Sequence, residues 1–233
     1  MSKTYLTMAD IKLMEEAALS LRDQLLIRML SRTGARVTEM VQLTVDDVNL
    51  ENGTITIQHL KSRNKVSCPF CGTRLCEAHV FCPGCSKKVE EKVKKALETR
   101  KLRTLPLDGE TVEMLELHIK NGNPVLKDGK LMLFGFKRGM ANKIVKDCGK
   151  RAGLPDLINP RTGKKRGISP HRLRDAFAIH AIQQDDSADA LIMLQEHLGH
   201  ASFNTTAQYR KIALEEHRQW YNKLWEKKEE QGG

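Results

Sequence analysis

Long hydrophobic runs are missing from this chain of 233 residues. None approaches the roughly 20 apolar residues that cross a bilayer, and no charged start leads into an apolar secretory segment. A membrane protein and an exported one are therefore not expected, and the expected compartment is the cytoplasm. Aromatic residues are scarce, at 5%, so the chain offers few platforms for stacking unpaired bases and suits a duplex better than a single strand. Acidic residues are outnumbered, 29 Asp and Glu against 39 Lys and Arg, giving a net charge of +10. That imbalance favours a polyanionic partner. Internal repeats and low-complexity tracts are not evident beyond a charged ending. A disulfide framework is also not expected, because five of the six cysteines crowd between positions 68 and 85 and Cys148 stands alone. Such clustering points to metal.

Hydrophobic residues at 40% and charged residues at 29% are ordinary for a globular chain, and the length suffices for one large domain or two small ones. Thr7 is placed to cap a helix carrying Leu13, Ala17 and Leu21. A second helix starts near Asp23, carries Leu25, Leu26, Met29 and Leu30, and stops at Gly34. Val37 to Leu43 reads as a short helix and Val45 to Gly53 as a strand leading into a turn. Asn52-Gly53 is a hairpin signal, after which Thr54 to Gln58 alternates like a half-buried strand. Lys87 to about Lys101 reads as a charged helix with Val89, Val93 and Leu97 on one side, and Leu102 to Leu107 resumes the sheet. Helices are expected at Thr111 to Lys120, Met140 to Ala152, after Ser169-Pro170, at Asp189 to His197, and in a tail bearing Leu214, Trp220, Leu224 and Trp225. Asn159 to Gly167 reads as a basic loop. The fold class is α+β, mostly helical with a small antiparallel sheet.

Two sets of residues carry chemistry. Cys68-Pro69-Phe70-Cys71 and Cys82-Pro83-Gly84-Cys85 are two Cys-x-x-Cys knuckles whose four thiolates can complete a tetrahedron, the pattern of a structural zinc site. Cys76 and His79 are expected in the loop between them. So short a segment cannot bury a core, and metal would supply its folding energy. The second set is scattered: Gly34-Ala35-Arg36-Val37-Thr38-Glu39, His171-Arg172-Leu173-Arg174, Leu198-Gly199-His200 and Tyr209. Arg36 and Arg174 taken singly would read as surface arginines, but together with two histidines and a tyrosine they can neutralise and attack a phosphate. His171 and Arg174, three apart, share a helix face.

These boxes resemble the catalytic domain of the tyrosine recombinases, the phage integrase family. Ala35 stands where leucine is usual, and Asp175 where many relatives carry histidine. The resemblance implies that Tyr209 attacks the scissile phosphate of double-stranded DNA, forming a 3′-phosphotyrosyl link and releasing a 5′-hydroxyl. It implies that Arg36, Arg174 and His200 stabilise the transition state, that His171 assists proton transfer, and that a hairpin lysine is the general acid. Lys61 is the first candidate and Lys101 the second. Glu39 would support Arg36, Arg172 would meet DNA backbone or solvent, and His197 would be a bystander. Tyr5 and Tyr221 lack a neighbouring histidine box.

The reaction would need no catalytic metal or nucleotide, and the active form would be a homo-tetramer on two DNA sites. The tail helix would dock on a neighbouring subunit or on its own core. Residues 1–64 and 101–233 would form the catalytic domain, with 65–100 a zinc-ribbon-like insertion. An N-terminal core-binding domain is expected to be absent, since only about 30 residues precede Gly34. The alternatives are a catalytically silent zinc-ribbon DNA-binding protein on the same fold, or a type IB topoisomerase-like enzyme.

Overall fold

The computed structural model describes residues 3–63, 66–76, 78–91, 93, 100–159 and 162–199, with the backbone alone at 59–63, 100 and 101. His200, Tyr209 and the tail helix expected from Ala213 lie outside the described residues.

Helix α1 (Met8–Glu16) begins with a reciprocal cap: the Thr7 hydroxyl accepts from the Asp10 amide, and the Asp10 carboxylate accepts from the Thr7 amide. Helix α2 (Leu21–Thr33) follows, capped by Ser20 and ended by Gly34 in the left-handed conformation at φ 58° and ψ 16°. Every residue of α2 from Leu25 to Ser31 is buried, as befits a helix packed on all sides. Its one buried cation, Arg28, is satisfied by Glu15 at 3.1 Å, Asp108 at 2.9 Å and the Thr111 hydroxyl at 2.9 Å. These bonds tie α2 to α1 and to helix α4 (Gly109–Lys120).

Between α2 and α4 lie the short helix α3 (Val37–Met40) and a three-stranded antiparallel sheet of order β1 (Val48–Asn49), β2 (Thr54–Arg63) and β3 (Arg100–Pro106). Val45–Asp47 is a 3-10 turn and not the expected start of a strand, because the Asp47 carboxylate reaches back to the Thr44 amide at 2.8 Å. The Asn52-Gly53 turn forms as expected, pairing Val48 with Ile55. In the β2–β3 hairpin, regular pairing runs to Gln58 opposite Leu102 and resumes only at Arg63 opposite Arg100. Residues 59–62 thus stand against Lys101 alone in a wide bulge.

Strands β4 (Val125–Lys127) and β5 (Lys130–Met132) form a hairpin, and helix α5 (Arg138–Arg151) follows. The expected basic loop, from Asn159 to Gly167, follows β6 (Leu157–Ile158) and includes β7 (Lys165–Arg166), which pairs with it in a second small hairpin. Helix α6 (Pro170–Gln184) starts with proline in its first turn after Ser169. Helix α7 (Ala188–Leu198) ends at Gly199, again left-handed at φ 63° and ψ 44°. The architecture is α+β. The main core gathers Leu25, Leu26, Met29 and Leu30 of α2 with Ile55, Ile57, Leu105, Leu115, Phe134, Val145 and Leu173. Among the described residues, no helix is long and apolar enough to cross a membrane.

Candidate active site and cysteine cluster

Three chain segments meet where α2, α6 and α7 converge. Arg174, 5% exposed on the buried face of α6, donates through its guanidinium to the Gly34 carbonyl at 2.6 Å and to the Leu198 carbonyl at 2.7 Å. Arg36 donates to the next carbonyl, that of Gly199, at 3.4 Å. Two arginines 138 positions apart are thereby docked on consecutive carbonyls just before His200.

Gly34 makes this approach possible. A Cβ at that position would lie 2.6 Å from Phe177 of α6 and 2.8 Å from Leu198 of α7, in a backbone conformation already strained for any L side chain. His197 closes the same joint. Its Nε2 donates to the Thr33 carbonyl at 2.9 Å, and its ring stacks on Phe177 with centroids 4.9 Å apart. Burial holds this imidazole below its ordinary range, with Arg103 and Arg174 adding to the effect against the pull of the Thr33 bond. His197 is therefore a structural pin and not the bystander that its sequence context suggested.

Glu39 supports Arg36 as expected. Its fully buried carboxylate accepts from the Arg36 amide at 3.0 Å and the Arg36 guanidinium at 2.9 Å. A third donor, Arg103 on β3, reaches it at 2.8 Å. Arg103 links the sheet to the arginine corner, and its Nε and Nη1 are buried with no hydrogen-bond partner among the described residues. Burial and the like charge of Arg36 pull Arg103 below the usual arginine range, against the attraction of Glu39. Sequence reading missed Arg103 because its only signal is proximity, created by strand pairing opposite Ile57.

His171 lies one turn before Arg174 and is 64% exposed, with Nδ1 3.4 Å from Asp175. Arg172, partly exposed, pairs with the other Asp175 oxygen at 2.6 Å. Lys61 and Lys101 both fall within the β2–β3 bulge, so the backbone brings the two candidate acids to one stretch of the hairpin.

The cysteine segment repeats itself. Residues 66–75 (Val-Ser-Cys-Pro-Phe-Cys-Gly-Thr-Arg-Leu) and 80–89 (Val-Phe-Cys-Pro-Gly-Cys-Ser-Lys-Lys-Val) are offset by fourteen positions. Their backbones follow one plan. Cys68 and Cys82 donate to Thr73 and Lys87, each at 2.8 Å, while Gly72 and Ser86 donate back to Cys68 and Cys82 at 2.9 and 2.8 Å. Bridges Ser67–Arg74 and Phe81–Lys88 match, as do the bonds from Leu75 to Val66 and from Val89 to Val80, each at 2.9 Å. Gly72 and Ser86 both take positive φ, 73° and 59°. The repeat corrects the expectation of none. It also corrects the start of the helix expected from Lys87: residues 87–90 are not helical and Val89 fills the knuckle core with Leu75, Cys68 and Cys82, whereas Glu91 and Val93 are helical as expected. At the other end of that helix, Arg100 and Lys101 belong to β3.

The Sγ atoms of Cys68, Cys71, Cys82 and Cys85 all lie within 4.8 Å of one another, and none is in a disulfide. Zn–S bonds of about 2.3 Å in a tetrahedron would set the sulfurs about 3.8 Å apart. Cys68–Cys85 at 3.7 Å and Cys71–Cys82 at 3.4 Å fit that requirement. Hydrogen bonds from the Thr73 hydroxyl and amide draw the Cys71 thiol down to about 6. Cys85 is pushed up to about 12: the Lys87 amide favours its thiolate, but burial and the three neighbouring sulfurs outweigh that bond. The cluster could bind a metal. Cys76 and His79 stay outside it, His79 accepting from the Cys76 amide at 3.1 Å.

The Phage integrase family model matches residues 6–91 and 88–216. The chain belongs to that family. Among integrase-family relatives, the tyrosine recombinase XerD of Staphylococcus haemolyticus is 28% identical over 207 residues, covering 87% of this chain and 54% of that protein. Tyrosine recombinase XerA of Pyrococcus furiosus is 24% identical over 192 residues, covering 82% and 51%. The chain thus spans about half the length of these curated relatives. A crystal structure of XerA recombinase shares the fold with a TM-score of 0.64 at 21% identity, over 96% of this chain and 64% of that one. XerH site-specific recombinase bound to its difH substrate gives a TM-score of 0.57 at 23% identity, over 88% and 50%.

Proposed function

We propose that this chain is the catalytic region of a site-specific recombinase that cuts and rejoins double-stranded DNA in the cytoplasm. The observation that carries the reading is the docking of Arg36 and Arg174 on the consecutive carbonyls of Gly199 and Leu198. Two fixed cations at one corner suit a phosphodiester, because its charged nonbridging oxygens repel a nucleophile until they are neutralised. The XerH site-specific recombinase is described as bound to its difH substrate, and the net charge of +10 suits a DNA partner for this chain.

In this reading Tyr209 attacks the scissile phosphorus and its phenolic proton leaves with the assistance of His171. The P–O5′ bond breaks, and a lysine delivers a proton to the departing oxygen. Arg36, Arg174 and His200 hold the negative charge of the transition state. Lys61 is the assigned acid, with Lys101 opposite it in the bulge as the alternative. Residues 1–64 and 101–233 constitute the catalytic domain, 65–100 the insertion, and a tetramer on two DNA sites the active assembly. The four cysteines would hold a zinc ion whose role is to fix the insertion's fold. The chemistry at the phosphate is carried by side chains alone.

A nicked duplex that traps the covalent intermediate tests the reading. The wild-type chain is expected to form an adduct that Tyr209→Phe abolishes. An adduct persisting in Tyr209→Phe refutes the nucleophile, and no adduct from any duplex favours a catalytically silent DNA-binding protein. A substrate with a 5′-thiolate leaving group, which needs no acid, identifies the lysine. It is expected to restore cleavage to Lys61→Ala, and rescue of Lys101→Ala alone would transfer the role.

A further inference from the structure

We propose that the cysteine insertion is a second DNA grip, holding duplex phosphates within one helical turn of the cleaved bond. The inference rests on the reading above only for where the bond lies.

Two knuckles sharing one backbone plan present equivalent positions twice. Leu75 and Val89 point into the small core, so their neighbours Arg74 and Lys88 stand outward, across from exposed Ser67 and Phe81. Lys87 is exposed beside them. None of the three cations pairs with a carboxylate among the described residues. Lys87 instead lies over the Phe70 ring, 3.7 Å from its centroid. That contact fixes the lysine's direction and occupies one face of the ring. An aromatic covered by its own lysine is a poor platform for a base, so the surface suits phosphates more than unpaired bases.

Position completes the argument. The insertion leaves the β2–β3 hairpin immediately after the pairing of Arg63 with Arg100. Cys68 follows Lys61 by seven residues, which at full extension span about 25 Å. One turn of duplex is about 34 Å. If the hairpin lysine lies at the scissile phosphate, Cys68, where the first knuckle begins, falls within one turn of it. Arg74, Lys87 and Lys88 then meet phosphates at fixed spacing, because the four cysteine sulfurs clamp the two knuckles to each other.

The test is binding of the zinc-loaded chain to a mixed-sequence duplex of about 40 base pairs across a salt series. Each phosphate contact contributes about 0.9 to the slope of log affinity against log salt. Arg74→Ala/Lys87→Ala/Lys88→Ala is expected to lower that slope by about 2 to 3 and the affinity at least about tenfold at 0.1 M salt. Arg74→Lys with Lys88→Arg should retain both. Zinc content equal to that of the wild type establishes that the knuckles still fold. An unchanged slope and affinity in the zinc-loaded triple variant overturns the proposal. So does a loss of adduct that higher protein concentration restores at unchanged slope, which would mark the surface as a contact between subunits. Wild-type adduct formation is scored separately: its absence with a lowered triple-variant slope removes the chemistry and leaves the grip.

Discussion

The arginine corner and the cysteine insertion reach order by opposite routes. The corner assembles residues from positions 33–39, 103, 171–177 and 197–199, and its precision comes from a packed core. The insertion draws its order from neighbours: two copies of a ten-residue unit, fourteen positions apart, around a core of four buried residues. The first therefore resists loss of any one contact until the packing fails, whereas the second depends on whatever holds four sulfurs together. A single fold can carry both because the insertion leaves from a hairpin tip, where strand pairing has already ended.

Removing the sulfurs should break this comparison most visibly. Zinc binding in small cysteine sites is worth on the order of 10 kcal/mol or more. Cys68→Ser/Cys71→Ser is expected to lose bound zinc and leave amides 66–91 unprotected in hydrogen exchange, while amides of α2 and α6 keep their protection. Loss of protection in both regions would mean that they are not independent.

Gly34→Ala strikes the corner alone. It adds a Cβ 2.6 Å from Phe177 at a positive φ, so overpacking and backbone strain together should cost about 2–4 kcal/mol. Denaturant unfolding measures the loss, and zinc stoichiometry should stay at the wild-type value. A cost under about 0.5 kcal/mol would show that α6 and α7 yield to the new methyl at no penalty.

The smallest effect is one of pH. His197 titrates below its ordinary value in the folded chain, so its contribution is present above the unfolded value, about 6.5, and is lost as pH falls through the folded one. Acidification from pH 7.5 to 5.5 should lower stability in the wild type more than in His197→Phe, as followed by thermal unfolding. Equal slopes in the two proteins would remove His197 from the joint.

Much of this was legible in the chain itself, for local reasons. Thr7, Gly34, Asn52-Gly53 and Ser169-Pro170 each satisfy a backbone requirement that a few neighbouring residues determine. The four zinc-candidate cysteines were readable because metal coordination fixes ligand spacing. The 14-residue repeat escaped because only Val, Cys, Pro and Cys recur at matching positions; its identity lies in hydrogen bonds. Helix periodicity misassigned Val89, whose apolar side chain serves the knuckle core and not a helix face. Arg103 and His197 were invisible as site residues, since strand register and helix crossing alone bring them to Glu39 and Thr33.

The central claim is that Arg36 and Arg174 act on one phosphate. The most direct measurement is a double-mutant cycle on the rate of adduct formation with the nicked duplex, using Arg36→Ala, Arg174→Ala and the pair. Each single change should slow the step by about 10²–10³-fold, and the double should be little slower than the worse single, as for groups that act as a unit. Rates that fall by the full product of the two single effects would contradict it, placing the arginines on separate tasks.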